Sequence, residues 1–520
     1  MQPDLTSYDV VVYPSYTHPQ THPDRLAVIG TLFGLKPADV QHCRVLELGC
    51  GDGSNLVPMA SSLPESEFVG IDLATRAIAH GQQMVGELGL ANVRLFRGSL
   101  TEIDSTWGTF DYIIAHGIFS WVEEGIRDRL LAICHDFLEP QGIAFVSYSA
   151  LPGGHMRNLL REMMLFHVRG FDAPKERVDQ AMALARFLVD AQQTRDEYRL
   201  WLKAELEEIL DHEPGHLYHD ELAEISKPFY FTQFVEQAAA HALQYVGEAD
   251  YFEMFDHGLT ESARQTLGRL GRNRILREQY LDFVKCRRFR QTLLCHSERE
   301  LETEPQPKRV ENLFISSQVR RTSGAGETKG GLISAYETPK GARCATDFEL
   351  GKAALAVLEE YWPLPLAYSE VLRQALAPQS QAGVSRASDG DSSNRLASFL
   401  LELYGAGVVE FRTTLPATVR EVSPRPSASP LARWQVRQGD FVTSQFHIAV
   451  KVEDEVGRCL LSSLDGTLDR TALLERVWML LKSKNAVVVP DGDEALARSK
   501  VAEDLDKNLD KLARLGLLVR

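Results

Sequence analysis

Cysteine is scarce and scattered: Cys43, Cys50, Cys134, Cys286, Cys295, Cys344 and Cys459 are the seven in 520 residues. No Cys-x-x-Cys pair occurs, which removes the usual zinc and redox spacings, and the odd, dispersed set reads as reduced thiols. Positive charge is also in short supply. Lys and Arg number 56 against 72 Asp and Glu, a formal net charge of −16, which repels phosphate backbones and argues against a nucleic-acid binder. Long apolar runs are missing as well. No uninterrupted stretch reaches membrane-spanning length, and the N-terminal MQPDLTSYDVVVYPSY lacks a basic segment followed by an apolar one. The expectation is a cytoplasmic chain that is neither exported nor inserted in a membrane. Its length exceeds what one hydrophobic core sustains, so two or three folded units are expected.

What is present is a strong alternation. CRVLELG, EFVGIDL, NVRLFRG, FDYIIAHG and GIAFVSY, between residues 43 and 150, are short apolar runs separated by helically spaced segments. Strands alternating with helices predict right-handed crossovers and a parallel, doubly wound α/β sheet. Residues 156–225 carry helical periodicity alone and predict a helical insertion. KPFYFTQFVEQAAAHALQYVGEADYFEM then reads as strand, helix, strand, supplying the last two strands and closing the sheet near residue 260, with a helical connector to about Cys295. The Ser- and Gly-rich RTSGAGETKGG (321–331) and QSQAGVSRASDGDSSN (379–394), and the Pro-rich SPRPSASP (423–430), bury too little apolar area to order themselves and read as loops or linkers. FLLELYGAGVVEF and NLDKLARLGLLVR share a helix, glycine, strand ending that suggests a pair of small winged-helix-like α+β units. The expected division is 1–155 for a cofactor-binding core, 156–225 for the insertion, 226–299 for the end of the sheet and the connector, and 300–520 for a C-terminal substrate domain.

VLELGCGDGSNL sets Gly49, Gly51 and Gly53 between an apolar strand and a helix, where α/β sheets bind ligands and where glycine lets the backbone turn and approach a cofactor closely. The spacing is Gly-x-Gly-x-Gly, not the Gly-x-Gly-x-x-Gly of a pyrophosphate-binding fingerprint. Glu47 beside the loop would repel a pyrophosphate but attracts the ammonium of a methionine moiety, which favours S-adenosylmethionine over NAD. Asp72, with Leu73, ends the next strand, where a carboxylate accepts ribose hydroxyls. Ser99 and Leu100 end the third strand and would lie beside the adenine, while Cys50, His116 and Gly117 complete the expected cofactor contacts. Taken singly, the glycines are as well explained by a tight turn and Asp72 by a helix cap; the combination in register points to a cofactor.

Methyl transfer from a sulfonium needs alignment and exclusion of water more than an oxyanion pocket. The acceptor is expected over the strand end FDYIIAHGIFSWVEE, with His116, Trp121 and Tyr16 as catalytic candidates. Phe119 and Trp121 can equally be core packing beneath the insertion, and His116 can be a cofactor contact rather than a base. Tyr8, Tyr13, Tyr16, His18 and His22 suit a segment folding over the pocket. Pro19 and Pro23 prevent His18 and His22 from forming a helical metal pair, and the turn Pro214–Gly215 inside His212, His216, His219 and Asp220 argues against a metal there too; no metal is expected.

THPDRLAVIGTLFGL, CRVLELGCGDGSNLVPMA, FVGIDL, FDYIIAHGIFSWV, GIAFVSYSALPGGH and KPFYFTQF together closely resemble bacterial methyltransferases carrying the methyltransferase regulatory domain. That family includes protein lysine methyltransferases of bacterial outer-membrane proteins. The resemblance is dense over roughly the first 290 residues and looser in the last third. It implies a class I, Rossmann-like methyltransferase, S-adenosylmethionine held by Glu47, Gly49, Gly51 and Asp72, and a helical middle unit used to form a homodimer. It also implies a C-terminal winged-helix-like domain that helps hold a protein substrate, of the outer-membrane or surface class, with lysine as acceptor. The family's usual Tyr after the His-Gly strand end is Phe119 here, and its Ser-Tyr-Asn run is Ser147-Tyr148-Ser149, both departures on the acceptor side. Methylation of a small molecule, with the insertion as a lid, and a non-catalytic S-adenosylmethionine-binding regulator stay open at this level.

Overall fold

The computed structural model describes residues 6–520 except 192–195, 257, 323–326, 329–330, 382–388, 485 and 487–493. Five strands run parallel: β1 (Arg44–Leu48), β2 (Glu67–Asp72), β3 (Val93–Arg97), β4 (Phe110–Ala115) and β5 (Leu138–Ser149). With β6 (Leu243–Glu248) and β7 (Phe289–His296) they form a seven-stranded sheet of order β3-β2-β1-β4-β5-β7-β6, in which β7 is antiparallel to both neighbours. The near-continuous apolar character of β1 and β4 follows from burial on both faces. Val45, Tyr112, Ile114, Ile143 and Phe145 pack beneath helix Pro23–Leu32. Leu46, Leu48, Ile113, Ala115 and Val146 pack on the other face against helices Glu124–Asp136 and Phe231–Ala240. Strand order reverses between β1 and β4, so the crevice at their carboxyl ends is the place where a doubly wound sheet binds its ligand.

The closing strands differ from the sequence expectation. KPFYF is not a strand: Phe229 makes a single bridge to Ala150, and the helix begins at Phe231. The final strand is Phe289–His296, inside the segment read as connector, and it slots between β5 and β6. Its disguise is Arg290, which is 1% exposed and breaks the apolar pattern. The guanidinium is neutralised by Glu248 (2.5 Å), Glu278 (3.0 Å) and Asp282 (2.8 Å) and lies over the Phe231 ring at 3.9 Å.

Helices Gly153–Val168, Pro174–Asp190 and Glu197–Asp211 share a small core of their own around Leu160, Met164, Ala181, Leu202 and Leu206. Two C-terminal units follow. In the first, helices Glu349–Tyr361, Tyr368–Gln381 and Asp389–Gly405 accompany an antiparallel sheet of Leu366–Ala367, Phe314–Ser316 and Glu410–Arg412, and the unit shares the core of helix Pro23–Leu32. In the second, helices Pro430–Gln438, Glu455–Ser463, Arg470–Ser483 and Glu494–Arg514 pack around Leu461, Leu473 and Leu509, with a hairpin of Phe441–Thr443 and Ala449–Lys451. Gly407 and Gly516, the glycines of the two similar endings, both have φ of 70°. Much of the two Ser- and Gly-rich stretches lies outside the described residues. The Pro-rich stretch, expected as a linker, is built in: Ser427–Ala428 pairs with Leu518–Val519, and Ser429 Oγ accepts from Ala432 N–H (3.0 Å) to cap the next helix. Burial of Ala428 and Ser429 supplies the order that composition alone did not suggest.

Candidate active site

After β1 the chain turns at Gly49, Gly51 and Gly53 with φ of 72°, 56° and 77°, a left-handed region that other residues enter only under strain. At Gly51 space is not the constraint: a Cβ there would meet only Ser15 Oγ, at 3.6 Å, so the backbone conformation is what calls for glycine. The turn is pinned from the next strand, since Gly49 and Cys50 N–H donate to Ile71 O (2.9 and 3.1 Å). Asp72 Oδ2 accepts from Gly51 N–H (2.9 Å) and Oδ1 from Ala74 N–H (2.8 Å), which sets its carboxylate over the loop. Burial raises the Asp72 pKa despite those two donors.

Glu47 is 4% exposed. Its Oε1 accepts from Asn55 Nδ2 at 2.7 Å, while Oε2 is buried with no hydrogen-bond partner. Burial pushes its pKa up to about 8, and the nearby carboxylates of Asp72 and Asp52 add to the rise. A buried carboxylate with one idle oxygen is an acceptor waiting for a cation or a donor. Asn55 joins three parts of the chain: its Oδ1 accepts from His18 N–H (2.9 Å) and faces His447 Nε2 at 2.9 Å, and its Nδ2 also donates to Thr21 Oγ1 (3.0 Å).

The N-terminal segment lies over this crevice as a strap. The imidazoles of His18 and His116 stack with centroids 3.8 Å apart, and His116 also faces Phe145 (5.9 Å) and the edge of Phe289 (6.1 Å). Burial lowers the pKa of His18 to about 4 and that of His116 well below its usual value, so both are neutral at pH 7. Gly117 N–H donates to Ser147 Oγ (2.8 Å), tying the end of β4 to β5. Phe119 is wholly buried among Tyr148, Phe229 and Phe234, whereas Trp121 lies under the Arg157 guanidinium at 6.0 Å with its Nε1 buried and unpartnered. Tyr16 donates its hydroxyl to Glu213 (2.9 Å) and stacks on His216, so it clasps the insertion. His219 holds Val11 O (2.7 Å) and stacks on Tyr8 (4.0 Å). Among the described residues no group of three or more His, Cys, Asp or Glu could hold a metal ion.

On the third strand end, Ser99 Oγ accepts from Thr101 N–H (3.3 Å) and Ser99 N–H donates to Glu102 Oε1 (3.2 Å), so the residue opens a short helix with Leu100 buried beneath it. Leu73 is 52% exposed at the rim, and Cys50 is buried with its thiol pKa pushed well up.

Residues 45–142 match the family model "Methyltransferase domain", 213–296 match "Predicted methyltransferase regulatory domain", and 424–517 match "PKMT, C-terminal winged helix domain". The regulatory-domain match spans β6 and β7 rather than the three inserted helices. An uncharacterized protein of Rickettsia prowazekii (strain Madrid E) is 38% identical over 233 residues, 45% of this chain and 93% of that relative. A second uncharacterized protein of that organism is 29% identical over 99% of this chain and 94% of its own length. The structure of PKMT2 from Rickettsia typhi superposes with a TM-score of 0.86 at 28% identity, covering 98% of this chain and 100% of that one, and its complex with AdoHcy superposes at 0.85. The chain belongs to the bacterial methyltransferases that carry the methyltransferase regulatory domain.

The methyltransferase depends on S-adenosylmethionine, and its residues suit that cofactor. The idle Glu47 oxygen matches an ammonium, and the turn around Gly51 leaves backbone open where a Cβ would meet almost nothing. The sequence reading missed Asn55, although its place at the end of GDGSN, opening helix Leu56–Ser62, is a local signal. It also missed His447, which no local signal reveals because it is 392 residues from Asn55.

Proposed function

We propose that this methyltransferase transfers the methyl group of S-adenosylmethionine to lysine side chains of a protein. The observation that supports lysine is the match along the whole chain, winged-helix unit included, to PKMT2, whose abbreviation stands for protein lysine methyltransferase. In this reading Glu47, Gly49, Cys50, Gly51 and Gly53 hold the methionine end. Asp72 and Leu73 hold the ribose, Ser99 and Leu100 border the adenine, and His116 and Gly117 line the side where methyl leaves sulfur for nitrogen. The cofactor supplies an electrophilic methyl; the chain supplies placement.

A lysine amine has an ordinary pKa of about 10.4 and attacks only when neutral, so the acceptor side has to disfavour its charge. The neutral His18–His116 stack, with Phe145 and Phe289 around it, is a weakly polar wall that does so. We assign Trp121, beneath Arg157, and Tyr16, against Glu213 and His216, to the walls that receive the substrate chain. We assign residues 1–155 and 226–299 to the catalytic core, 156–225 to an insertion through which two copies pair, and 300–520 to protein-substrate contacts. No helix among the described residues is long and apolar enough to cross a membrane, and we place the enzyme in the cytoplasm, acting on a surface or outer-membrane protein.

The test is incubation of the purified protein with methyl-labelled S-adenosylmethionine and an outer-membrane fraction, followed by acid hydrolysis. Label is expected in N-methyllysine. Label confined to small molecules, or to residues other than lysine, would sink this reading.

A further inference from the structure

The hairpin of the last unit turns inward. Its strands pair Thr443 with Ala449, and Ser444 shapes the tip: Ser444 Oγ accepts from Phe446 N–H (3.3 Å) and Ser444 O from His447 N–H (2.9 Å). Phe446 is wedged so closely that a Cβ on Gly516 would lie 2.6 Å from its ring, with Trp362 on another side at 5.3 Å. The next residue, His447, is held at φ 58° and is 3% exposed. Glycine would occupy that conformation without strain, so a histidine there is accounted for by its side chain. Nε2 lies 2.9 Å from Asn55 Oδ1, and the ring faces His22 at 5.3 Å. Because Asn55 Oδ1 can only accept, Nε2 carries the proton and donates.

Together with the backbone His18 N–H, this contact sets which way Asn55 points. Were the amide reversed, its oxygen would face Glu47 and repel the ionised carboxylate that an ammonium calls for. The donors His447 Nε2 and His18 N–H hold the oxygen on their side and leave Nδ2 for Glu47. We propose that His447 is a positioning residue for the cofactor: the wing tip of the C-terminal unit, acting through Asn55, fixes the carboxylate that receives the methionine ammonium. Cofactor affinity then depends on the wing being seated, and a substrate docked on that unit acts on the same contact. The inference rests on the role given to Glu47 above.

Calorimetry with S-adenosylhomocysteine on the full chain tests it. His447→Gly, which relieves the backbone while removing the donor, is expected to weaken binding by roughly tenfold in a protein that still melts cooperatively. His447→Asn tolerates the same backbone but is too short to reach Asn55, and should behave like the glycine variant. His447→Gln restores an N–H at similar reach and should return affinity to within about threefold of the parent. A folded His447→Gly or His447→Asn protein with parental affinity, or a glutamine variant as weak as the glycine one, overturns the proposal. Glu47→Gln separates the two layers: if it weakens binding while the His447 variants do not, only the wing role fails. If none of them changes affinity, the assignment of Glu47 fails too.

Discussion

At the scale of single residues the proposed cofactor site turns on Glu47. Its carboxyl titrates near 8 in the fold against 4.5 as an ordinary glutamate, because burial disfavours the charge. The folded state therefore holds a proton that the unfolded chain has released, and stability without cofactor declines as pH rises from about 4.5 to 8. Glu47→Gln is expected to raise unfolding free energy at pH 8 by about 1–3 kcal/mol in chemical denaturation, while weakening cofactor binding. An ammonium beside Glu47 favours its ionised form, so binding to the parent at pH 7 should release a proton, seen as a dependence of calorimetric heat on buffer ionisation. Affinity should climb between pH 7 and 8, and a flat profile that Glu47→Gln does not alter would contradict this. Asp72→Ala removes the acceptor of Gly51 and Ala74 N–H as well as the proposed ribose ligand, with an expected loss of affinity of roughly tenfold or more. The glycine loop, Glu47 and Asp72 were legible because they lie within one strand, turn and strand, each with its own residue type. Asn55 passed unnoticed as a helix-opening residue, although its partners make it the junction of the site.

At the scale of elements, the strands β1 to β5 announced themselves through short apolar runs alternating with helical segments, and β7 did not. A strand buried on both faces is recognised by hydrophobicity, and Arg290 contradicts that pattern for any reader without its partners. Glu248 comes from the neighbouring strand and Glu278 and Asp282 from helix Arg274–Lys285, so the charge balance exists only after the sheet has formed. Arg290→Met should cost about 3–5 kcal/mol, because it leaves buried carboxylates with less than their due of positive charge. The check is a urea melt of each protein; a loss below about 1 kcal/mol would mean that water or Arg287 compensates fully. The Pro-rich stretch 423–430 is the converse case, where local composition suggested a loop and long-range pairing with Leu518–Val519 made a strand.

For the whole molecule, helix Pro23–Leu32 is the fastening. Asp24, 3% exposed, accepts from Thr413 N–H (2.6 Å) and Thr414 N–H (3.2 Å) and pairs with Arg412 (3.3 Å). Arg25 beside it pairs with Asp250 (3.0 Å) and Glu410 (3.1 Å). One turn of helix thus joins the strap, the sheet and the first C-terminal unit. Asp24→Ala strands several buried donors and is expected to destabilise the protein by about 2–4 kcal/mol, with faster limited proteolysis between residues 413 and 426. Unchanged cleavage there would show that the shared apolar core alone holds the units together.

The sequence by itself determined the parallel sheet, the glycine turn after its first strand and the acidic residues flanking that turn, because those features depend on periodicity and on chemistry between near neighbours along the chain. Only the tertiary structure decided that Arg290 lies in a strand, that His18 stacks on His116, and that His447 meets Asn55. Those outcomes depend on groups that meet only once the chain has folded, whether 8 residues apart, as Arg290 and Asp282 are, or 392, as His447 and Asn55 are, and no local pattern encodes which buried charge or donor will find its partner there.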